Sequence, residues 1–275
     1  PDVDPSTNAV IRLSVTSPAK DTDIVMYSDP FVLRGIKVVS PGTGTNWVLG
    51  RTVTVAFRSA GMGAGAPVNI YYSPDGVDYD LAHPVATEVP THDGLNTFEW
   101  TIENDSVLTR MPSPTGTVKV VAAGGEGVSS PFRLRGIKVT RPTSANAWSV
   151  GDVSEAIRWV SVDAPSTFNI GFTVWSGSTS LVSETIATGV TGSPYNWAMT
   201  PNAIGREVTI QVQSGSYTGV SERFEIVSTS SIRLLSPVAG DYWRTGETNL
   251  IRWIRGGTMA NAFVIKYSTE PYTVT

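Results

Sequence analysis

Phe132-Arg133-Leu134-Arg135-Gly136-Ile137-Lys138-Val139 repeats, with a single change, Phe31-Val32-Leu33-Arg34-Gly35-Ile36-Lys37-Val38. An octapeptide that returns 101 residues later marks a chain built from copies, and copies have to be recognised before any local reading. Each octapeptide leads to a Trp-x-x-Gly, first Trp47-Val48-Leu49-Gly50 and then Trp148-Ser149-Val150-Gly151. A third, Trp243-Arg244-Thr245-Gly246, follows Ile232-Arg233-Leu234-Leu235-Ser236-Pro237 in the same manner. The three tryptophans stand 101 and 95 residues apart.

Beyond each of these tryptophans the apolar residues fall at every second position. Val53, Val55 and Phe57 correspond to Ile157 and Trp159 and to Ile251 and Trp253. The next runs are Val68, Ile70, Tyr72; Phe168, Ile170, Phe172; and Phe263, Ile265, Tyr267. Two copies continue through Phe98-Glu99-Trp100 and Tyr195-Asn196-Trp197 into Val118 and Val120, or Val208, Ile210 and Val212. They close on Pro131-Phe132-Arg133-Leu134 and Arg223-Phe224-Glu225-Ile226. A period of two is a strand with one buried face, whereas a helix repeats every 3.6 residues. About seven such strands per copy, punctuated by Gly, Pro and Ser, predict antiparallel β-sandwiches. The expected fold class is all-β.

The copies divide the chain into residues 1–34, the C-terminal part of an incomplete module; 35–135 and 136–230, two full modules; and 231–275, the N-terminal part of another. The first segment supplies two strands, at Val10-Ile11-Arg12-Leu13 and Phe31-Val32-Leu33, and the last supplies three. The ends are read as cuts from a longer array, with strand complementation between neighbouring chains as the alternative; either leaves apolar strand faces open. Only Arg-Gly separates the last strand of one module from the first of the next at 34–35 and 135–136. A flexible linker needs a much longer Gly/Ser run, so these modules are expected to touch and to bend little, as a semi-rigid rod. Gly there can supply a backbone angle that other residues resist. The junction Val227-Ser228-Thr229-Ser230-Ser231 is longer and is expected to bend more.

Composition excludes several functions. The 275 residues contain no Cys, which removes disulfides, thiol catalysis and Cys-ligated metals. Two His, His83 and His92, leave little for imidazole chemistry. A net charge of −4 with only 20 Lys and Arg argues against nucleic acid. No apolar run is long enough to span a membrane. Charged residues are 16 %, low against roughly 25 % in ordinary domains, and Ser and Thr number 61. With 40 % apolar residues, those hydroxyls read as the solvent faces of strands, not as disorder.

Trp47, Trp148 and Trp243, like Trp100, Trp159, Trp197 and Trp253, recur at equivalent positions, as a core filled by aromatics demands. Trp175 has no counterpart. It lies beside Ser176-Gly177-Ser178, read as an exposed hairpin tip, and is the leading candidate for ligand binding, with Tyr217 near Gly215 and Gly219 as a second. Asp75, Asp78 and Asp80 form an oxygen-rich stretch that suits calcium, although Pro74-Asp75-Gly76 also reads as a hairpin turn. Calcium is thus the sole cofactor candidate. His83, His92 and Asp93 invite comparison with a hydrolase triad, but no Gly-x-Ser-x-Gly nucleophile accompanies them. Asn104-Asp105-Ser106 fits an N-glycosylation acceptor.

The succession Ile-x-Val-x-Ser-Pro, Trp-x-x-Gly, Ile-x-Trp and a Ser-x-Asp-Gly turn resembles tandem Ig-like/fibronectin-III-like β-sandwich modules. Ser236-Pro237, Trp243-Arg244-Thr245-Gly246 and Ile251-Arg252-Trp253 carry the likeness best, and Tyr72-Ser73-Pro74-Asp75-Gly76 supplies the turn. Arg141-Pro142 departs from Ser-Pro and Phe57 from Trp. Such modules occur in fungal Ser/Thr-rich GPI-anchored cell-wall proteins and in large repetitive bacterial surface proteins. The resemblance implies a secreted or surface-displayed, non-catalytic protein: a structural segment of an extracellular fibre, stalk or array that continues in a longer repeat chain or self-associates. The alternative it implies is an adhesion or carbohydrate-binding module, with a glycan as partner.

Overall fold

In the computed structural model residues 3–16, 23–103, 110–150, 155–228, 231–256 and 263–268 are described. Among them the alternating runs form antiparallel sheets, with one 3-10 turn at Pro201–Ala203 and no α-helix. The first segment contains β1 (Ser6–Ala9), β2 (Arg12–Thr16), β3 (Asp23–Tyr27) and β4 (Phe31–Leu33). There follow β5 (Gly35–Ser40), β6 (Asn46–Val48), β7 (Thr52–Ala60), β8 (Pro67–Ser73), β9 (Ala86–Pro90), β10 (Gly94–Thr101), β11 (Ser113–Ala122) and β12 (Gly125–Val128). The long β13 (Phe132–Arg141) is succeeded by β14 (Ala147–Ser149), β15 (Ala156–Val162), β16 (Phe168–Ser176), β17 (Thr179–Val190) and β18 (Tyr195–Asn196). The order ends with β19 (Gly205–Ser214), β20 (Tyr217–Val220), β21 (Phe224–Val227), β22 (Ser231–Ser236) and β23 (Arg252–Gly256).

Two sandwiches share one plan. In the first, β5, β7 and β10 make one sheet; β9, β8, β11 and the start of β13 make the other, with β6 running parallel to β13. In the second, the end of β13 with β15 and β18 corresponds to the three-stranded sheet, and β17, β16, β19, β21 and the parallel β14 to its partner. The opening strand therefore begins on one sheet and its continuation joins the other. The crossing lies at a register slip, between Val38 and Ser40 or Val139 and Arg141, and β22 carries the same slip between Leu234 and Ser236. A cis Xaa-Pro bond follows each slip, at Ser40-Pro41, Arg141-Pro142 and Ser236-Pro237.

The inward positions fill two separate cores. Val55, Phe57, Ile70, Val118, Val120 and Leu134 are fully buried in the first, and Ile157, Val208, Ile210, Val212 and Ile226 in the second. The recurrent aromatics meet across each: Trp47 on Phe132 at 4.7 Å and Tyr72 on Trp100 at 5.6 Å, against Trp148 on Phe224 at 4.9 Å and Phe172 on Trp197 at 5.4 Å. Trp243 is 40 % exposed, unlike Trp148 at 1 %, and no counterpart of Phe224 stands against it among the described residues. Ile254 of β23 is buried with the second core.

The terminal segments correct two expectations. In 1–34 the expected strand Phe31-Val32-Leu33 forms as β4 and pairs with β1, whereas the expected strand at Val10-Ile11-Arg12-Leu13 is interrupted at Val10 and Ile11, and its continuation β2 pairs with an additional strand, β3. Phe263, Ile265 and Tyr267, expected as a third strand in 231–275, form none, since no neighbouring strand among the described residues pairs with them. Leu13, Val15, Ile232 and Leu234 are more than half exposed, so the apolar faces of the terminal strands are open. Residues 229 and 230, on which the bending of the third junction was read, lie outside the described residues.

Candidate functional site

The best-defined constellation of polar side chains lies where the sandwiches join. Strand β13 belongs to both: Phe132 and Leu134 pair with β11, and Gly136–Val139 with β15. Leu49 N donates to the Arg135 carbonyl at 2.9 Å. Gly136 has φ +138, and a Cβ there would lie 3.0 Å from the Leu49 side chain. The angle and the packing both demand glycine. Arg133 and Arg135, from the first sandwich, converge on Asp163 at the end of β15 in the second. Arg133 Nη2 donates to Asp163 Oδ1 at 2.7 Å, and Arg133 Nε and Arg135 Nε donate to Oδ2 at 3.1 and 2.9 Å. Asp163 has φ +57, in the left-handed region that Asp tolerates better than most residues. The hydrogen bonds from Arg133 and Arg135 hold its carboxyl below the ordinary 3.8.

The first joint is built differently. Asp4 accepts from Lys37 Nζ at 2.8 Å and lies 3.7 Å from Arg58 Nε. Gly35 keeps an ordinary negative or extended φ there. Charge clamps both joints with unrelated residues.

A second recurring device escaped the sequence reading. Ser28, Ser129 and Ser221 each stand three residues before the Phe that opens the closing strand. In each, the hydroxyl accepts a backbone N–H across the bulge, from Ile11, Val118 or Ile210, at 2.9 Å. The same hydroxyl donates to the carbonyl of the next residue. The Ser-x-x-Phe spacing was the available signal.

The predicted ligand residues both lie on strands. Trp175 is not on a loop tip; it is half-buried on the outward face of β16, because Phe168, Ile170, Phe172 and Val174 take the inward positions. Its Nε1 donates to Thr209 Oγ1 at 2.9 Å, and the Arg223 guanidinium lies 5.4 Å over its ring. Tyr217 is half-buried at the start of β20, against the second core. These two are not brought into one cleft with the acidic stretch.

Asp75, Asp78 and Asp80 are divided as well. Asp75 Oδ1 accepts from Ser73 Oγ at 2.7 Å and from Val77 N and Asp78 N at 2.9 Å. The backbone bonds from Asp78 and Val77, then the Ser73 hydroxyl, bring its pKa down to about 2. Asp80 serves Ala82 N and His83 Nδ1, the latter at 2.6 Å. Pro74-Asp75-Gly76 opens a longer loop before β9 instead of closing a two-residue hairpin. Among the described residues no three His, Asp or Glu side chains converge as metal ligands. Because Asp75 already spends its oxygen on the loop backbone, calcium chloride and EDTA should give the same melting temperature; a rise with calcium, the sign of metal bound to the folded state, would restore the metal reading.

His92 Nδ1 donates to the Asp93 carbonyl, whereas the Asp93 carboxylate accepts from Gly61 N. No His–Asp relay forms between them. Asn104-Asp105-Ser106 lies outside the described residues. No helix among the described residues is long and apolar enough to cross a membrane.

No family model and no curated protein matches the chain. Among solved structures it is similar to the fibronectin(III)-like modules of CbhA from Clostridium thermocellum, at 13 % identity over 70 % of this chain and 94 % of that one, TM-score 0.24. It is also similar to a chimeric titin Z1Z2–Z1Z2 tandem, at 13 % identity, 70 % and 98 % coverage and TM-score 0.22. The ICAM-5 D1–D4 ectodomain fragment gives 13 %, 84 % and 64 %, with TM-score 0.25. At such values the weight rests on strand order and register. By those, residues 35–228 fold as tandem antiparallel Ig/fibronectin-III-like β-sandwiches.

Proposed function

We propose that the chain is a non-catalytic structural segment of an extracellular fibre, stalk or surface array, with module boundaries at 34/35, 135/136 and 230/231. The observation that carries this reading is β13, a single strand hydrogen-bonded into two sandwiches and clamped by Arg133, Arg135 and Asp163. A strand shared in this way resists bending about the joint, since bending would break ladder bonds on one side or the other. The same geometry repeated along a longer chain makes a spacer of defined length.

Small-angle X-ray scattering tests it. Wild type is expected to scatter as one particle of fixed shape, and insertion of Gly-Ser-Gly-Ser between Arg135 and Gly136 to raise the radius of gyration and the signature of flexibility. Acid acts in the same direction. A carboxylate whose folded pKa is lowered contributes stability above its unfolded value, here 3.8, and loses it as pH falls through the folded value. The wild-type joint should therefore be unchanged from neutral pH to about 4, and loosen only below 3.8. Equal flexibility of wild type and insertion variant at neutral pH would overturn the reading.

A further inference from the structure

The outward face of the second sandwich carries a groove. It encloses about 290 Å³ and is lined by Asn169, Gly171, Glu184, Thr188, Gln211 and Gln213, among others. Two features open it. Strand β16 slips against β17 between Phe168 and Ile170 and again between Ile170 and Gly171, which draws β17 out of even register. Gly171 contributes backbone alone to the floor, where the Glu184 carbonyl oxygen lies 3.1 Å from the position of a Cβ.

The first sandwich carries larger side chains at the equivalent register positions. Gly171 pairs with Gln211 across β16 and β19, and Tyr71 pairs with Lys119 at the equivalent point of β8 and β11. Lys119 is drawn over the Tyr79 ring at 4.4 Å and lies 3.8 Å from Glu126. A tyrosine and a lysine thus stand in the first sandwich at the register positions that Gly171 and Gln211 take in the second.

We propose that this groove binds a neutral, hydroxyl-rich sugar chain. The Gln211 and Gln213 amides each present a donor group and an acceptor, Asn169 adds its amide NH2 while its Oδ1 accepts from Gly189 N at 3.3 Å, and Thr hydroxyls do both at once. That is the complement of sugar hydroxyls, which also donate and accept. No Lys or Arg lines the groove, while Glu184 does, with both carboxylate oxygens 3.2 Å from Asn202 Nδ2. Phosphate, sulfate and uronate groups are disfavoured there, whereas a neutral hydroxyl donates to a carboxylate well. An extended peptide takes a strand edge or apolar side-chain pockets; β17 is the edge strand of its sheet, but within the groove Ile170 and Phe172 point into the core and leave no apolar pocket. The volume is at the small end of ligand pockets, roughly 300–1,000 Å³, enough for a ring or two of a longer chain. Trp175 stands four residues farther along the same strand, about 13 Å away at 3.3 Å per residue, and takes no part in the groove. The inference goes beyond the structural reading and stands independently of it.

The test is an amide-shift NMR titration of the full chain with neutral hexasaccharides of β-glucan, mannan, xylan and galactan, with hexagalacturonate as the anionic probe and an alternating Thr-Val decapeptide as the peptide probe. At least one neutral hexasaccharide is expected to shift the amides of residues 169–171, 183–188 and 211–213 saturably, with Kd near millimolar. Gly171→Tyr, which copies the first sandwich, should abolish the response. Its Cβ would lie 3.1 Å from the Glu184 carbonyl oxygen and could disturb the strand, so Gln211→Lys and Gln213→Ala, on exposed strand positions, are the companion variants; each should weaken binding at least tenfold. Trp175→Ala should leave it unchanged. The proposal is overturned if no neutral hexasaccharide shifts these amides, if Gln211→Lys binds as wild type does, or if hexagalacturonate or the decapeptide binds as tightly.

Discussion

Trp148→Ala should separate the melting of the two sandwiches, lowering the stability of the second by about 4 kcal/mol and leaving the first close to its own transition. Trp148 is 1 % exposed and stacks edge-on against Phe224, 4.9 Å between ring centres. It also anchors β14, whose pairing with β21 joins the opening strand to the second sheet. Truncation to Ala leaves a cavity between two strands that cannot close without breaking that ladder. Native domains are stable by only about 5–15 kcal/mol, so this is a large share. Trp148 Nε1 is buried and finds no acceptor among the described residues. Trp148→Phe removes that unsatisfied donor while keeping most of the apolar area, and is expected to cost much less than Ala. Calorimetry reads both variants; a single unshifted transition in Trp148→Ala would contradict the packing described.

Gly219→Ala should have the next largest effect. A Cβ at Gly219 would lie 2.6 Å from the Ile137 carbonyl oxygen and 2.9 Å from Ile137 Cγ2. The obstacle is backbone, so the strands must part. Overpacking of this kind costs about 1–3 kcal/mol, and a carbonyl that cannot rotate away puts the expectation at the upper end. Gly127→Ala repeats the experiment in the first sandwich, 2.6 Å from the Ile36 carbonyl oxygen. Gly192, with nothing within 4 Å of its Cβ position, is the control. Urea denaturation should show similar losses at Gly127 and Gly219 and little at Gly192. Near-neutral results at both Gly127 and Gly219 would mean that β12 and β20 do not approach the opening strands so closely.

Strands and cores were legible because both faces of the argument are local: alternate residues point to one side, and Phe57, Ile70, Tyr72, Ile170 and Phe172 lie where the period puts them. The joints were half legible. Arg-Gly between two strand patterns announces a short connection, and β13 proves to be uninterrupted. Asp163 could not be anticipated, since its partners lie 28 and 30 residues away and only the fold brings them together. Trp175 was misplaced for a different reason. Next to Ser-Gly-Ser it reads as a turn, but the inward alternation of β16 runs through Val174 and carries Trp175 onto the sheet face. The groove at Gly171 shows only when two copies are superposed in register, because its signal is a side chain that is missing relative to Tyr71. The glycines at 127 and 219 and the serines at 129 and 221 follow from the same comparison.

The central claim is that β13 fixes the two sandwiches relative to each other. Residual dipolar couplings measured on the full chain in a weakly aligning medium test it most directly. Fitted separately for residues 35–134 and 137–228, they should give alignment tensors of the same magnitude and the same orientation. Tensors that differ in magnitude would mean that the sandwiches reorient independently, and would contradict the account.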